Sequence, residues 1–332
     1  LRRGAIDPAR EHVAALVGAR PAEVFFTSGG TEANNLAIKG MAHALGNGLL
    51  MTGATEHPAV SEPMRFLAGQ GWMLKMLSVG PDGLPGSTAL EPEPRVPCLG
   101  ALMLANNETG VIHDTRPLAT GLRKAGGFLH VDAVQAAGKI PLDFAATGAH
   151  TLALSAHKIY GPKGVGALIA DRTAPIEPLL HGGGQEHGLR GGTENVAGIV
   201  GFGKAAELAR LELAERAAHA LALRQRLETG LKTVRGVTLF AEGVARLPNT
   251  IQFSVPGFDG EALVMRLDRL GFAVSSGSAC ASGGHAPSPV LTAMGVDAAT
   301  ARGAIRVSFG QGNNEAHVDR FLEALNHLIL SP

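Results

Sequence analysis

Residues 128–170 read FLHVDAVQAAGKIPLDFAATGAHTLALSAHKIYGPKGVGALIA, and this stretch decides the fold class of the chain. It contains short apolar runs at 128–131, 152–154 and 165–170, which are separated by polar and glycine-rich residues. Runs that are continuously apolar, rather than alternating with polar residues, are typical of strands covered on both faces. The stretch therefore predicts neighbouring strands of a buried, mostly parallel sheet.

The same arrangement occurs upstream of this stretch. Apolar runs at 24–26, 49–51 and 101–104 are each followed by polar or glycine-rich residues, and a helical pattern occupies residues 8–17. We expect an α/β fold in which helices sandwich a mostly parallel, doubly wound sheet. In such sheets ligands lie beyond the carboxyl ends of the strands, so the residues just after these runs are the candidates for chemistry.

The second half of the chain has a different pattern. An apolar stripe predicts one long helix over 197–234, bridging two domains. Beyond it the patterns are, in order, a strand at 250–255, a helix near 261–270, strands at 272–274 and 305–309, and a C-terminal helix. We expect a large domain over residues 1–205 and a smaller α+β domain over residues 206–332.

Composition excludes several classes of partner. The 332 residues include 29 Lys plus Arg and 29 Asp plus Glu, with no polybasic run, so neither nucleic acid nor an anionic membrane surface is an expected partner. No apolar run is long enough to span a membrane, and we expect a cytoplasmic protein. The two cysteines, Cys98 and Cys280, form neither a disulfide framework nor a metal-binding spacing.

Several familiar catalytic motifs are absent from the sequence. It contains no Gly-x-Gly-x-x-Gly, no phosphate-binding Gly-x-x-x-x-Gly-Lys-Ser/Thr, no His-Glu-x-x-His and no Gly-x-Ser-x-Gly. His181 and His187 lie on a glycine-rich stretch at a spacing that is unusual for metal ligands, so no metal site is expected.

Lys158, in Ser155-Ala156-His157-Lys158, follows the apolar run at 152–154. A lysine held in a low-dielectric cleft has a lowered pKa and can form a Schiff base. Asp132 ends the preceding run, where a carboxylate can hold a proton on a pyridine nitrogen, as pyridoxal phosphate requires. Taken singly, a solvated lysine and a helix-capping aspartate are the ordinary alternatives.

A candidate phosphate cradle lies at residues 27–32, Thr-Ser-Gly-Gly-Thr-Glu, between a strand and a helix that starts near Thr31. Free backbone N–H groups and the helix dipole favour an anion there, and the glycines allow close approach. Ser155 and His157 can add side-chain donors to the same phosphate. An ordinary turn capped by Thr31 is the alternative.

Other polar residues follow the predicted strands. His57 can stack on an aromatic cofactor and exchange protons with substrate. An amide in Asn106-Asn107-Glu108-Thr109-Gly110 can donate to the ring or to a carboxylate, and Gln135 can donate to a ring phenolate. Several polar clusters at one end of a sheet favour a site over a set of structural loops.

The second half supplies a thiol and a guanidinium. Cys280 lies at the centre of residues 275–284, a small, polar stretch that can move a reactive thiol, whereas Cys98 precedes an apolar strand and is interpreted as structural. Arg306 lies in a strand pattern, where it can bind a substrate carboxylate bidentately. An internal salt bridge is an equally good interpretation of Arg306 alone.

Together these motifs resemble the cysteine desulfurases of the class V aminotransferase family, which are fold type I pyridoxal-phosphate enzymes. The resemblance extends over residues 8–330. Its last motif, which contains Cys280, resembles that of the desulfurase branch that serves iron–sulfur cluster assembly. The stretches that carry it are residues 26–32, 56–58, 106–110, 130–135, 155–164 and 276–280.

The resemblance implies a role for each site residue. Lys158 is implied to bond the cofactor covalently, Asp132 to pair with the pyridine nitrogen, and Cys280 to form a persulfide as L-cysteine becomes L-alanine. The remaining implied contacts are His57 and Gln135 with the ring, Gly30, Thr31, Ser155 and His157 with the phosphate, and Asn107 and Arg306 with the substrate carboxylate.

The resemblance also implies partners. Thr193, in a glycine-rich stretch, is implied to reach the phosphate of a neighbouring subunit, so a homodimer is expected. The persulfide sulfur would pass to an acceptor protein such as an iron–sulfur scaffold.

The sequence departs from the family pattern in several places. Its members begin with an extra segment containing Ala-Thr-Thr, which is expected to be missing here. His187 and Gly191 stand where the family has arginine and serine, and Asn313-Asn314 replaces a threonine pair. Three alternatives remain open: a selenocysteine lyase, another class V aminotransferase, or a truncated, inactive sulfur-relay partner.

Overall fold

The structure is a computed structural model that describes residues 2–86, 97–277 and 286–330. Packing divides the chain into two units. The first consists of residues 1–78, 85–105 and 113–213, and the second of residues 79–84, 106–112 and 214–332. The second unit thus includes two short segments from the first half of the sequence. The predicted boundary at residue 205 assigns both of these segments to the large domain.

The first unit contains a seven-stranded sheet in the order β1-β7-β6-β5-β4-β2-β3. All neighbouring strands are parallel except that β7 runs antiparallel to both β1 and β6. The prediction of a mostly parallel sheet is therefore confirmed. The strands are β1 Val24–Thr27, β2 Leu49–Gly53, β3 Met73–Leu77, β4 Cys98–Met103, β5 Phe128–Asp132, β6 Thr151–Ser155 and β7 Gly166–Ala170.

Helices cover both faces of this sheet, as the continuously apolar runs predict. Neighbouring residues of a strand point to opposite faces. Gly100 faces Leu122, whereas Ala101 belongs to a core cluster with Leu36 and Met64. The helices of this unit are α1 Arg2–Leu16, α2 Gly30–Leu45, α3 Pro58–Ala68, α4 Arg116–Lys124, α5 Phe144–Thr147 and α6 Val196–Leu211.

The second unit contains a four-stranded sheet in the order β10-β11-β9-β8, with antiparallel pairing throughout. Its core includes Phe253, Leu263, Ile305 and Phe321. Its elements are α7 Leu213–Leu231, β8 Thr238–Leu239, β9 Thr250–Ser254, α8 Gly260–Arg269, β10 Ser275–Ser276, α9 Pro289–Ala293, α10 Ala298–Arg302, β11 Ala304–Ser308 and α11 Glu315–Leu330.

The single long helix expected over 197–234 is wrong, because the chain forms two helices, α6 and α7, that meet at Glu212. At Glu212 the backbone leaves the helical region, with φ −99° and ψ 8°. The two helices also serve different cores: α6 packs with α1, whereas α7 contributes Leu223 and Leu227 to the core of the second unit. The apolar residues over 197–234 therefore pack in two different cores. Their regular spacing does not require one continuous helix.

The strand expected at 272–274 is also wrong. Gly271 has φ +86°, and the N–H groups of Gly271 and Phe272 donate to the carbonyls of Asp268 and Leu267. This is a Schellman closure of α8, in which the apolar residue after the glycine packs back on the helix. The adjacent strand is β10, which pairs with Arg306 and Ile305 of β11.

Candidate active site

The loop between β1 and α2 is held as an open cradle. α2 begins after Gly29, which has no side chain to accept the first-turn N–H groups. A Cβ on Gly30 would lie 2.8 Å from Val134 Cγ2, so only glycine fits there without displacement. Glu32 accepts hydrogen bonds from the Ser28 N–H at 2.8 Å and from Arg190 Nε at 2.9 Å. The N–H groups at this helix start can bind an anion such as phosphate.

The lysine loop directly follows β6. Ser155 ends that strand, residues 156–159 form a 3-10 turn, and Tyr160 then adopts a left-handed conformation with φ +67°. The Ser155 Oγ and His157 Nδ1 atoms are 2.9 Å apart. His157 and Lys158 are both exposed to solvent, so the low-dielectric cleft expected for Lys158 is not found in this single chain.

Positive charge accumulates around this loop. The pKa of His157 is lowered, first by burial and then by the nearby charges of Lys158, Lys163 and Lys139. Like charges that repel one another in this way provide a favourable potential for an anion.

Asp132 ends β5 and is a buried acidic group of this site. Its Oδ1 atom accepts from the Val134 N–H at 2.9 Å and its Oδ2 atom from Asn34 Nδ2 at 2.8 Å. Burial raises the pKa of Asp132, against the opposing effects of these hydrogen bonds and of the nearby His57 and Lys158. A carboxylate removed from water gains most from a cation, and a protonated pyridine nitrogen is such a partner.

His57 caps the start of α3. Its Nδ1 atom accepts from the Ala59 N–H at 3.0 Å, so a neutral ring carries its proton on Nε2. The pKa of His57 is lowered chiefly by burial, with Asp132 opposing this shift and Lys158 adding to it. The mutual effects of His57, Asp132 and Lys158 indicate one electrostatically connected group. These residues and the cradle at Gly30 fit pyridoxal phosphate.

Gln135, Thr193 and Thr31 are the remaining residues expected to contact the cofactor. The half-buried Gln135 accepts a hydrogen bond from Lys139 Nζ at 2.7 Å through Oε1. Thr193 is exposed and lines a cavity of about 110 Å³ with Thr27, Ser28 and Arg190. Thr31 is likewise exposed at the first turn of α2.

In the second unit, Asn107 and Arg306 are brought together. Arg306, on β11, donates from Nη1 to the backbone carbonyl of Asn107 at 2.9 Å. The preceding Asn106 shapes this turn, because its Oδ1 accepts from the N–H groups of Glu108 and Thr109, both at 2.9 Å. The two residues expected to bind a substrate carboxylate are therefore neighbours.

Glu108, in the same turn, is a buried carboxyl group. The sequence analysis did not single it out as a site residue. It accepts from Ser288 Oγ at 2.5 Å and from Gln252 Nε2 at 3.1 Å. Burial raises the pKa of Glu108, while these hydrogen bonds and Arg306 oppose that shift. Its position directly after Asn107, in a candidate motif, was the feature of the sequence that could have identified it.

Cys280 lies outside the described residues. The described chain before it ends after β10 at Gly277, whose N–H donates to the Ala304 carbonyl at 3.0 Å. Cys98 is fully buried in β4, and burial raises the pKa of its thiol. This burial agrees with a structural role for Cys98.

The described part of the chain lacks two kinds of feature. None of its helices is long and apolar enough to cross a membrane. Within residues 2–86, 97–277 and 286–330, no group of three or more His, Cys, Asp and Glu side chains could hold a metal ion.

Comparisons with known proteins identify the family of the chain. The aminotransferase class-V family model matches residues 3–321. A cysteine desulfurase IscS from Anaeromyxobacter sp. is 45% identical over 321 residues, which are 95% of this chain and 79% of that protein. A cysteine desulfurase IscS from Dictyoglomus turgidum is 41% identical over 331 residues, 98% of this chain and 84% of that protein. A solved NifS-like protein has a TM-score of 0.93 at 38% identity, with 100% of this chain and 89% of that chain covered.

Proposed function

The chain belongs to the aminotransferase class-V family, and on that premise we propose that it is a pyridoxal-phosphate-dependent cysteine desulfurase that converts L-cysteine to L-alanine. The observation that carries the proposal is the connected group of Asp132, His57 and Lys158 beside the anion cradle. A buried acid, a neutral histidine and a lysine amine are the partners that a pyridoxal ring needs.

Bound pyridoxal phosphate supplies an electron sink for breaking bonds in an amino acid. Lys158 would hold this cofactor through its amine and would move protons. Asp132 would keep a positive charge on the ring nitrogen, and the neutral His57 would contact the ring, with a proton on its Nε2 atom. Ser155, His157 and the N–H groups at Gly30 and Thr31 bind the phosphate, and Gln135 contacts the ring oxygen.

The substrate carboxylate is bound by Asn107 and the Arg306 guanidinium. A planar guanidinium matches a carboxylate bidentately, which orients the amino acid as well as binding it. The hydrogen bond from Arg306 Nη1 to the Asn107 carbonyl supports this assignment, because it fixes the guanidinium beside the amide-bearing residue.

Cys280 receives the sulfur atom. The carbon–sulfur bond of cysteine breaks, a sulfur–sulfur bond forms on the Cys280 thiolate, and the substrate carbon gains a proton to give alanine. The resulting persulfide passes its outer sulfur to an acceptor protein, such as an iron–sulfur scaffold. A nucleophilic thiol needs a reducing compartment, which favours a cytoplasmic location.

The proposal includes a homodimer, in which Thr193 contributes to the phosphate site of the partner. The exposure of Thr193 and Lys158 in the single chain supports this arrangement, since a second subunit would cover them. Sedimentation of the purified protein is expected to give twice the monomer mass, and a monomer with full activity would contradict the shared site.

The test of the proposed function is alanine production from L-cysteine by protein reconstituted with pyridoxal phosphate. Lys158→Ala is expected to lose both the visible absorption of the bound cofactor and the activity. Cys280→Ala is expected to keep the absorption and lose the desulfurase activity, whereas Cys98→Ala keeps both. Wild-type protein that binds no cofactor, or a Cys280→Ala variant with full activity, would contradict the proposal.

A further inference from the structure

A chain of buried side chains extends from Asp132 into the sheet. Asn34 Nδ2 lies 2.8 Å from Asp132 Oδ2, and Asn34 Oδ1 lies 2.7 Å from His130 Nε2. His130 Nδ1 lies 2.9 Å from the Thr151 hydroxyl. All four side chains are buried, with at most 6% of the surface of any of these residues exposed. Polar groups in such a place are costly unless they are fully paired, so their arrangement requires an explanation.

The direction of each hydrogen bond in this chain follows from Asp132. A carboxylate only accepts, so Asn34 must donate from Nδ2 and accept at Oδ1. His130 then donates from Nε2. Burial lowers the pKa of His130 to about 3, so the ring is neutral at pH 7, and its Nδ1 accepts the Thr151 hydroxyl proton.

The chain fixes how Asp132 is oriented. Its Oδ1 is held by the N–H of Val134, and its Oδ2 by Asn34. Asn34 cannot rotate its amide, because exchange of its oxygen and nitrogen would place a donor against His130 Nε2–H. Asn34 comes from α2, whereas His130 and Thr151 are register partners on β5 and β6. Three elements thus position one carboxylate.

We propose that Asn34, locked by His130 and Thr151, is the positioning residue that keeps Asp132 aimed at the ring nitrogen of pyridoxal phosphate. This inference rests on the proposed function, because it names what holds the acid of that site. The alternative is a polar network that only fills the core, and this would affect stability without affecting the cofactor.

The test is Asn34→Asp, which keeps the size of the side chain but replaces the donor with a second carboxylate. The expected result is that the dissociation constant of pyridoxal phosphate rises about tenfold or more, because a charged hydrogen bond is lost. The visible absorption band of the bound cofactor is also expected to shift, which a merely structural role would not cause. Asn35→Asp is the matched control, since Asn35 is the next residue of α2 and its Nδ2 atom donates to the Thr31 carbonyl rather than to Asp132.

A milder pair of variants covers the case in which Asn34→Asp does not fold. Thr151→Val removes the hydroxyl that fixes the His130 proton, and a rise of about threefold in the same dissociation constant is expected. Thr52→Val is its control, because the buried Thr52 hydroxyl has no hydrogen-bond partner among the described residues. The threefold figure corresponds to the lower end of a neutral hydrogen bond.

The outcomes separate this inference from the proposed function. If wild-type protein binds the cofactor at Lys158, but Asn34→Asp and Thr151→Val bind it with wild-type affinity and spectrum, the positioning role is overturned and the proposed function stands. If wild-type protein does not bind the cofactor, both are overturned. Circular dichroism at the titration temperature confirms that each variant is folded when its affinity is measured.

Discussion

Two buried carboxyl groups, Asp132 in the first unit and Glu108 in the second, are held in different ways. Asp132 ends a strand, and its partners come from a helix and from its own backbone turn. Glu108 lies in a turn and is held by a residue of β9 and by the cap of α9. In both cases burial raises the pKa and hydrogen bonds lower it.

The difference between the two carboxyl groups indicates that the two units have different roles in binding. The surroundings of Asp132 are regular elements of one sheet and its covering helix, which suits a cofactor that must be held rigidly. Glu108 supports a turn beside Arg306, where the proposed function places the carboxylate of a small substrate. The first unit would therefore determine cofactor affinity, and the second would determine substrate affinity.

The largest expected effect concerns Asp132→Asn. Removal of the charge leaves a ring cation without its buried partner, so the dissociation constant of pyridoxal phosphate is expected to rise about 100-fold or more. Fluorescence titration of the apoprotein measures this. Asp143→Asn, at the exposed cap of α5, is the control and is expected to leave the affinity unchanged. Equal cofactor affinities for Asp132→Asn and wild type would contradict the claim that the first unit determines cofactor affinity through Asp132.

The next effect concerns Arg306→Lys. A lysine cannot reproduce a bidentate contact, so KM for L-cysteine is expected to rise about 10- to 100-fold while cofactor affinity stays within twofold. Steady-state alanine production and cofactor titration measure the two quantities. A loss of cofactor affinity as large as the change in KM would contradict the division between the units.

Glu108→Ala tests the turn itself. The buried Ser288 hydroxyl and Gln252 amide would lose their acceptor, so the free energy of unfolding is expected to fall by about 2 kcal/mol. Urea denaturation measures this loss. Both donors share the Oε2 atom of Glu108, so Glu108→Gln, whose amide oxygen can take that place, is expected to restore most of it. A stability of Glu108→Ala equal to that of wild type would show that the network contributes nothing.

The last effect, similar in size to that of Glu108→Ala, is a pH dependence due to His130. Burial lowers its pKa to about 3, whereas the unfolded chain titrates near 6.5, so acid favours the unfolded state. Between pH 7 and pH 5 this group alone is expected to reduce the free energy of unfolding by about 2 kcal/mol. In His130→Phe that contribution is absent, so stability is expected to fall less over the same range. Identical slopes in the two proteins would contradict the assignment.

Sequence patterns predict the parts of this molecule that depend on local composition. The buried strands are continuous apolar runs, and Lys158 and Asp132 follow them directly. β3 escaped this reasoning because its residues are mostly half-buried or exposed at the edge of the sheet. The break at Glu212 was missed because each half of the stripe is locally regular.

The Asn34–His130 pair could not be predicted because it depends on tertiary packing. His130 is a polar residue within an apolar run, which marks it as unusual, but its partner lies 96 residues away on α2. Only the packing of α2 over the strands brings the amide to Asp132. Glu108 is similar, since its partner Gln252 is 144 residues away.

The most direct measurement reduces the cofactor-reconstituted protein with borohydride and locates the modified residue by peptide mass spectrometry. Our account predicts pyridoxyl label on Lys158 and none on the neighbouring Lys139 or Lys163. Label confined to either neighbour, or absent from folded protein supplied with the cofactor, would contradict it.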